Sequence, residues 1–211
     1  MKKQKMKLKH KQKNKHNSNL NLNIILNPNN AILILITIIA MLGIYSYSIG
    51  STWYYDDMFI IMGLIFFYRF YKSFNIKPWA VYFLLAAVSL HALGNFGFYE
   101  KTFVLGYDKY MHLVIPIAIS FATYYFISYK SNYSVRKKFF INIFFVWGLA
   151  NTIEIIEFFF MRLLGPGEGM LFLGKEDLLP LDTISDLVNN LLGAVIGTVI
   201  MAFNEIYRKN H

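Results

Sequence analysis

The chain has 211 residues, of which 56% are hydrophobic, 18% aromatic and only 16% charged. That balance is too apolar for an ordinary soluble domain and points to an integral membrane protein. The net charge of +9 is crowded towards one end, and the absence of cysteine excludes disulfides, thiolate metal centres and cysteine nucleophiles.

The first sixteen residues, MKKQKMKLKHKQKNKH, hold eight lysines. Residues 1–30 are read as a basic, disordered cytoplasmic tail, and residues 31–211 as one transmembrane domain. The basic region is too long for a cleavable signal peptide, and the apolar segment behind it is long enough to span. The tail's first role is to set topology. Attraction to anionic lipid headgroups is a second, at about 1 kcal/mol per lysine near the surface. No folded basic domain follows, so no nucleic-acid partner is expected.

Six apolar runs follow in order: Ala31–Ile49, Asp57–Tyr71, Pro78–Phe98, Lys109–Tyr129, Lys138–Leu164 and Thr183–Ile206. Each is read as a transmembrane helix of an all-α, polytopic bundle in the cell membrane. The second is the shortest, closed by Arg69 and Lys72, which can snorkel to an interface. Pro78 suits a helix start. Leu164–Leu181, rich in glycine and closed by Pro180, reads as the longest loop, and its GPGEG lacks the pattern of a phosphate-binding loop.

With six spans and the N-terminal tail inside, seventeen of the twenty-one basic residues face the cytoplasm. Lys101, Lys109, Arg162 and Lys175 remain outside. The positive-inside rule therefore predicts both termini in the cytoplasm. Every acid except Glu205 then falls on the outer side or in the outer half of the bundle, while the inner halves of the last four spans read as almost entirely apolar.

Within that outer half, four spans carry groups capable of chemistry. Span three has His91. Span four places Asp108 and His112 on one face, with Pro116 one turn further on. Span five has Asn151, Glu154 and Glu157 at threefold spacing, and span six has Asp182, Asp186 and Asn190 at fourfold spacing. From the helical rise of 1.5 Å per residue, Glu154 lies about 24 Å and Glu157 about 28 Å above Lys138, near the outer boundary of a core about 30 Å thick. Asp186 and His112 each lie about 6 Å inside an outer helix end.

Buried carboxylates in such numbers need compensation, by lost ionisation, by Lys109 and Arg162, or by a divalent cation. Asp108, His112, Glu154, Glu157, Asp182 and Asp186 are the candidate catalytic residues. His112, Glu154, Glu157 and Asp186 make a hard-to-borderline ligand set for that cation. His91, Asn151 and Asn190 are supporting groups; His91 alone reads first as a hydrogen-bonded interior histidine. Asp182 also suits a helix N-cap. Gly193 and Gly197 form GxxxG, which brings span six close to a neighbour.

The ordered set His91…Gly94, Tyr107-Asp108-Lys109…His112…Pro116, Glu154…Glu157 and Asp182-Thr183…Asp186 with Gly193-Ala194 resembles the YjdF-type membrane proteins. Its DK-x-x-H and DL-x-x-N-x-x-GA-x-x-G elements are also similar to VanZ-like proteins. The resemblance covers Pro78 to Ile200. It implies a membrane protein of some six spans with an outward-facing polar centre, and names no substrate.

Three functions fit these residues. One is metal- or acid/base-dependent chemistry on a lipid-linked or cell-envelope substrate. Another is ion- or proton-coupled transport, disfavoured by the apolar inner halves. The third is a scaffold whose polar cluster only fixes helix packing. No serine-nucleophile signature is present.

Overall fold

The structure is a computed structural model that describes residues 27–99, 106–165 and 180–211. The lysine-rich start, Lys101, Lys175 and most of the glycine-rich loop lie outside the described residues. Those described form six α-helices: α1 Pro28–Ser48, α2 Tyr54–Phe70, α3 Pro78–Ala92, α4 Tyr107–Lys130, α5 Val135–Leu164 and α6 Pro180–Asn210. A 3-10 turn, Leu93–Phe96, follows α3.

Local chemistry sets the helix ends. Asn27 caps α1, its side-chain oxygen accepting from the Asn29 N–H at 3.0 Å, with Pro28 behind it. Pro78 opens α3 after an extended Lys77. Gly97, at φ 72°, supplies the left-handed residue that ends the turn beyond α3. Gly106, at φ 79°, leads into α4.

Among the described residues, four helices are long and apolar enough to cross a membrane: α1, α4, α5 over Val135–Phe160 and α6 over Thr183–Asn210. The third run is shorter than its sequence implies. It is α-helical for only 15 residues and stops at Ala92 rather than Phe98, because Gly94 and Gly97 favour a tighter turn. The second begins earlier, at Tyr54, and is 17 residues long. Large apolar side chains cover the outer surface, with Ile44 71%, Leu163 80% and Phe203 68% exposed, an arrangement suited to lipid rather than water. The chain is thus a helical, multi-pass membrane bundle.

Inside, α4 is the central element. It packs against α3, α5 and α6, while α1 packs against α2 and α3. Its contact with α6 is backbone-close: a Cβ on Gly193 would collide with the Leu113 carbonyl, and one on Gly197 would lie 2.8 Å from the Ile117 carbonyl. Only glycine fits there.

The expectation of apolar inner halves fails. Asn142, fully buried on α5, accepts from Thr123 Oγ1 at 2.6 Å and donates to Thr198 Oγ1 at 2.7 Å and to the Ser120 carbonyl at 3.2 Å. One turn earlier, buried Lys138 reaches both carboxylate oxygens of Glu205, at 3.0 and 3.1 Å, and Tyr124 donates to the same carboxylate at 2.9 Å. Such groups vanish within an apolar run in sequence, yet in the bundle they form interhelical bonds.

Candidate functional site

At the opposite end of the bundle from Glu205, the first turns of α4 and α6 meet the last turns of α5. His112 is their common centre. Its Nδ1 lies 3.2 Å from Glu154 Oε1 on α5 and 3.2 Å from Asn190 Oδ1 on α6. Its Nε2 lies 3.2 Å from Asp108 Oδ1 and 3.9 Å from Asp186 Oδ1. Each ring nitrogen faces a carboxylate oxygen, so whichever one holds a proton has an acceptor for it.

Lys109 closes the other side of the cluster. Its Nζ is 2.7 Å from Asp186 Oδ1 and 3.2 Å from Asp108 Oδ2. It is therefore the local compensating cation. Arg162 instead is exposed and stacks over the Phe158 ring, with 5.3 Å from guanidinium carbon to centroid. Asn190 ties the third helix in by donating to Glu154 Oε1 at 3.4 Å. His112, Asp186, Asn190 and Glu157 are all buried, and Glu154 is nearly so.

Of the residues singled out in the sequence, Asp108, His112, Glu154, Asp186 and Asn190 come together directly. Glu157 is one helical turn beyond Glu154 and 5% exposed. Its Oε1, like Asn151 Oδ1, is buried with no hydrogen-bond partner among the described residues. A buried acceptor in that state calls for a proton, a water or a ligand. Asp182 falls in the first turn of α6, but its side chain lies outside what the structure describes.

His91 sits apart from the carboxylates. Its Nδ1 is 2.6 Å from the Tyr99 hydroxyl. Tyr99 lies in the connection between α3 and α4, where burial and then the nearby Asp108 carboxylate push its hydroxyl well above the ordinary phenol range. It keeps its proton and can donate it to His91. The Tyr99 ring packs on Trp53 at 5.4 Å and edge-on to Tyr107 at 5.1 Å, and the Tyr107 hydroxyl donates to the Leu90 carbonyl at 2.5 Å. Gly94 makes room for this aromatic lid, since a Cβ there would strike both Trp53 and Tyr99.

Sequence reasoning missed two further acids. Asp56 and Asp57, in the first turn of α2, are 3% and 1% exposed. They resemble an ordinary interfacial helix start, and nothing local marks them as buried. Gly43 is the faint signal: its missing side chain lets α1 close on Asp57, whose Cβ would lie 3.3 Å from an added methyl.

The donor set also decides which residues could hold a cation. One ligand atom each from Asp108, His112 and Asp186 lie within 4.8 Å of one another. The trio shares His112 and Asp186 with the expected set of His112, Glu154, Glu157 and Asp186, and adds Asp108. Glu154 faces Nδ1 whereas the two aspartates face Nε2, and a metal takes one nitrogen of an imidazole. Two carboxylates and an imidazole suit a divalent ion of hard or borderline character. The Lys109 ammonium competes for the same two carboxylates, so such an ion would have to displace it.

No curated protein and no solved structure matches the chain. The family described as "Predicted membrane protein (DUF2238)" matches residues 29–206, which includes every helix that builds this cluster. The chain belongs to that family of predicted membrane proteins, the YjdF-type family its motifs resemble.

Proposed function

We propose that the His112 pocket faces the outside of the cell membrane and carries acid/base- or metal-dependent chemistry on a lipid-linked or cell-envelope substrate. The observation behind this reading is the single imidazole of His112, which meets acidic or amide groups from α4, α5 and α6 within 3.9 Å. In acid/base form, His112 moves a proton between substrate and carboxylate, Lys109 and Asn190 fix the carboxylates, and Glu157 offers a buried acceptor. In metal form, Asp108, His112 and Asp186 hold a divalent ion that polarises a substrate oxygen, the proximity of their ligand atoms favouring this version. The positive-inside charge distribution supports the outward orientation.

Transport is the competing reading, favoured by the Asn142 and Lys138–Glu205 groups further along the bundle. Between them and His112, however, the α4–α6 contact at Gly193 is packed backbone to backbone beside fully buried Ala194, and the cavity along another side of α4 is lined there by apolar side chains such as Ile115, Ile119 and Ala122. On α4 this separates His112 from Ser120 by about 12 Å.

Elemental analysis of protein purified after divalent-metal supplementation separates the two chemical versions. A stoichiometric ion, lost in His112→Ala and in Asp186→Ala, selects metal chemistry. A metal-free wild type overturns it and leaves the acid/base form. Proteoliposomes showing proton or ion flux that His112→Ala abolishes would overturn both in favour of transport.

A further inference from the structure

The polar cluster opens into a long apolar groove. A cavity of about 680 Å³ runs between α2, α3, α4 and α5. Its polar lining residues Asp56, His91, His112 and Asn190 are gathered at the cluster end. From there α4 lines it with one stripe, Met111, Ile115, Ile119, Ala122 and Phe126, and the far end is closed by Phe74 and Ile76. Thr123 also lines it, but its hydroxyl is committed to Asn142 and to backbone carbonyls.

The shape is that of an amphiphile: a polar end and a narrow apolar body. From His112 to Phe126 the groove extends about 21 Å along α4, beyond the roughly 15 Å that half a hydrocarbon core provides. Bulk lipid tails stop near the bilayer midplane, whereas this groove continues past it from its polar end. At the cluster end, the Phe59 and Phe160 rings meet edge to face at 5.8 Å, so α2 and α5 touch beside the polar groups. Midway along, Gly63 on α2 faces the cavity with nothing within 4 Å of where its Cβ would be.

We infer that this groove binds one long hydrocarbon chain, in extended form, of an amphiphile whose polar head rests on the His112 cluster. The inference deepens the reading given under Proposed function, since it assigns the substrate's apolar part. Burial of the chain's methylenes gains much relative to water but little relative to lipid, so selectivity must come from the head and from length.

The test uses a 16-carbon alcohol carrying a photoreactive diazirine near its methyl end, incorporated into phosphatidylcholine vesicles with the full chain. The expected result is saturable labelling of Leu64–Phe74 and Ile119–Phe126, competed by unlabelled hexadecanol or by an isoprenoid alcohol. Which competitor acts at lower concentration distinguishes an alkyl from an isoprenoid source. Gly63→Phe, which meets no protein atom at its Cβ, is expected to cut the labelling at least fivefold without changing thermal unfolding. Labelling spread over lipid-facing positions such as Ile44, Leu163 and Phe203, without competition, overturns the inference. If Gly63→Phe does not fold, the wild-type labelling map alone decides. Saturable wild-type labelling together with proton or ion flux that His112→Ala abolishes overturns only the chemical reading and keeps the groove, so the two failures are distinguishable.

Discussion

Lys109 owes its importance to a partner 77 positions away in sequence. Its ammonium sits 2.7 Å from a nearly buried Asp186 carboxylate. Removing one member of a buried pair strands the other charge, at a cost of about 3 kcal/mol or more. Lys109→Met is therefore expected to destabilise the protein by about that amount, measured by unfolding in mild detergent. Asp186→Asn should recover a large part of the loss in the double variant, because position 186 then carries no charge and Asp108 keeps His112 as its partner. Additive losses from the two substitutions would show that the pair is not coupled. The sequence displayed both residues and their depth, but it could not choose between Lys109 and Arg162 as the compensating cation. That choice depends on helix rotation, which leaves no mark in a run of apolar neighbours.

At the scale of elements, close approach of α4 and α6 holds the cluster together. Gly193→Leu would force a side chain against the Leu113 backbone carbonyl, which cannot move aside as a flexible side chain can. The expected cost is about 1 to 3 kcal/mol, read as a fall in thermal midpoint, and loss of the cluster's geometry with it. Gly148, with nothing within 4 Å of an added Cβ, is the control: Gly148→Leu should change the midpoint little. Asn142→Leu tests the interhelical network, with an expected loss of about 1 kcal/mol. The helices themselves were legible because a bilayer demands long apolar runs with internal hydrogen bonding. The GxxxG spacing announced a close contact but not its partner. The early end of α3 and the buried Lys138–Glu205 pair were harder to read, since a lysine near a helix end looks the same whether it snorkels or pairs.

For the whole molecule, charge asymmetry along the chain implies a fixed orientation across the membrane. The chain contains no cysteine, so single cysteines report sidedness without background. Ser51→Cys, between α1 and α2, should react with a membrane-impermeant maleimide in intact cells. Ser131→Cys, after α4, should react only once the membrane is opened. The reverse pattern would turn the His112 pocket towards the cytoplasm and remove the outer-leaflet substrate from consideration. The gathering of polar groups at one end was legible from helical rise alone, because depth in a bundle follows residue count. Which of them touch was not, because contact depends on how α4, α5 and α6 are turned. The most direct test is a pair of cysteines in place of His112 and Glu154, treated in native membranes with a short bifunctional thiol reagent. The account predicts an intramolecular bridge between α4 and α5, detected as one added linker with both thiols consumed. Two separate single-ended adducts, with no bridge, would contradict it.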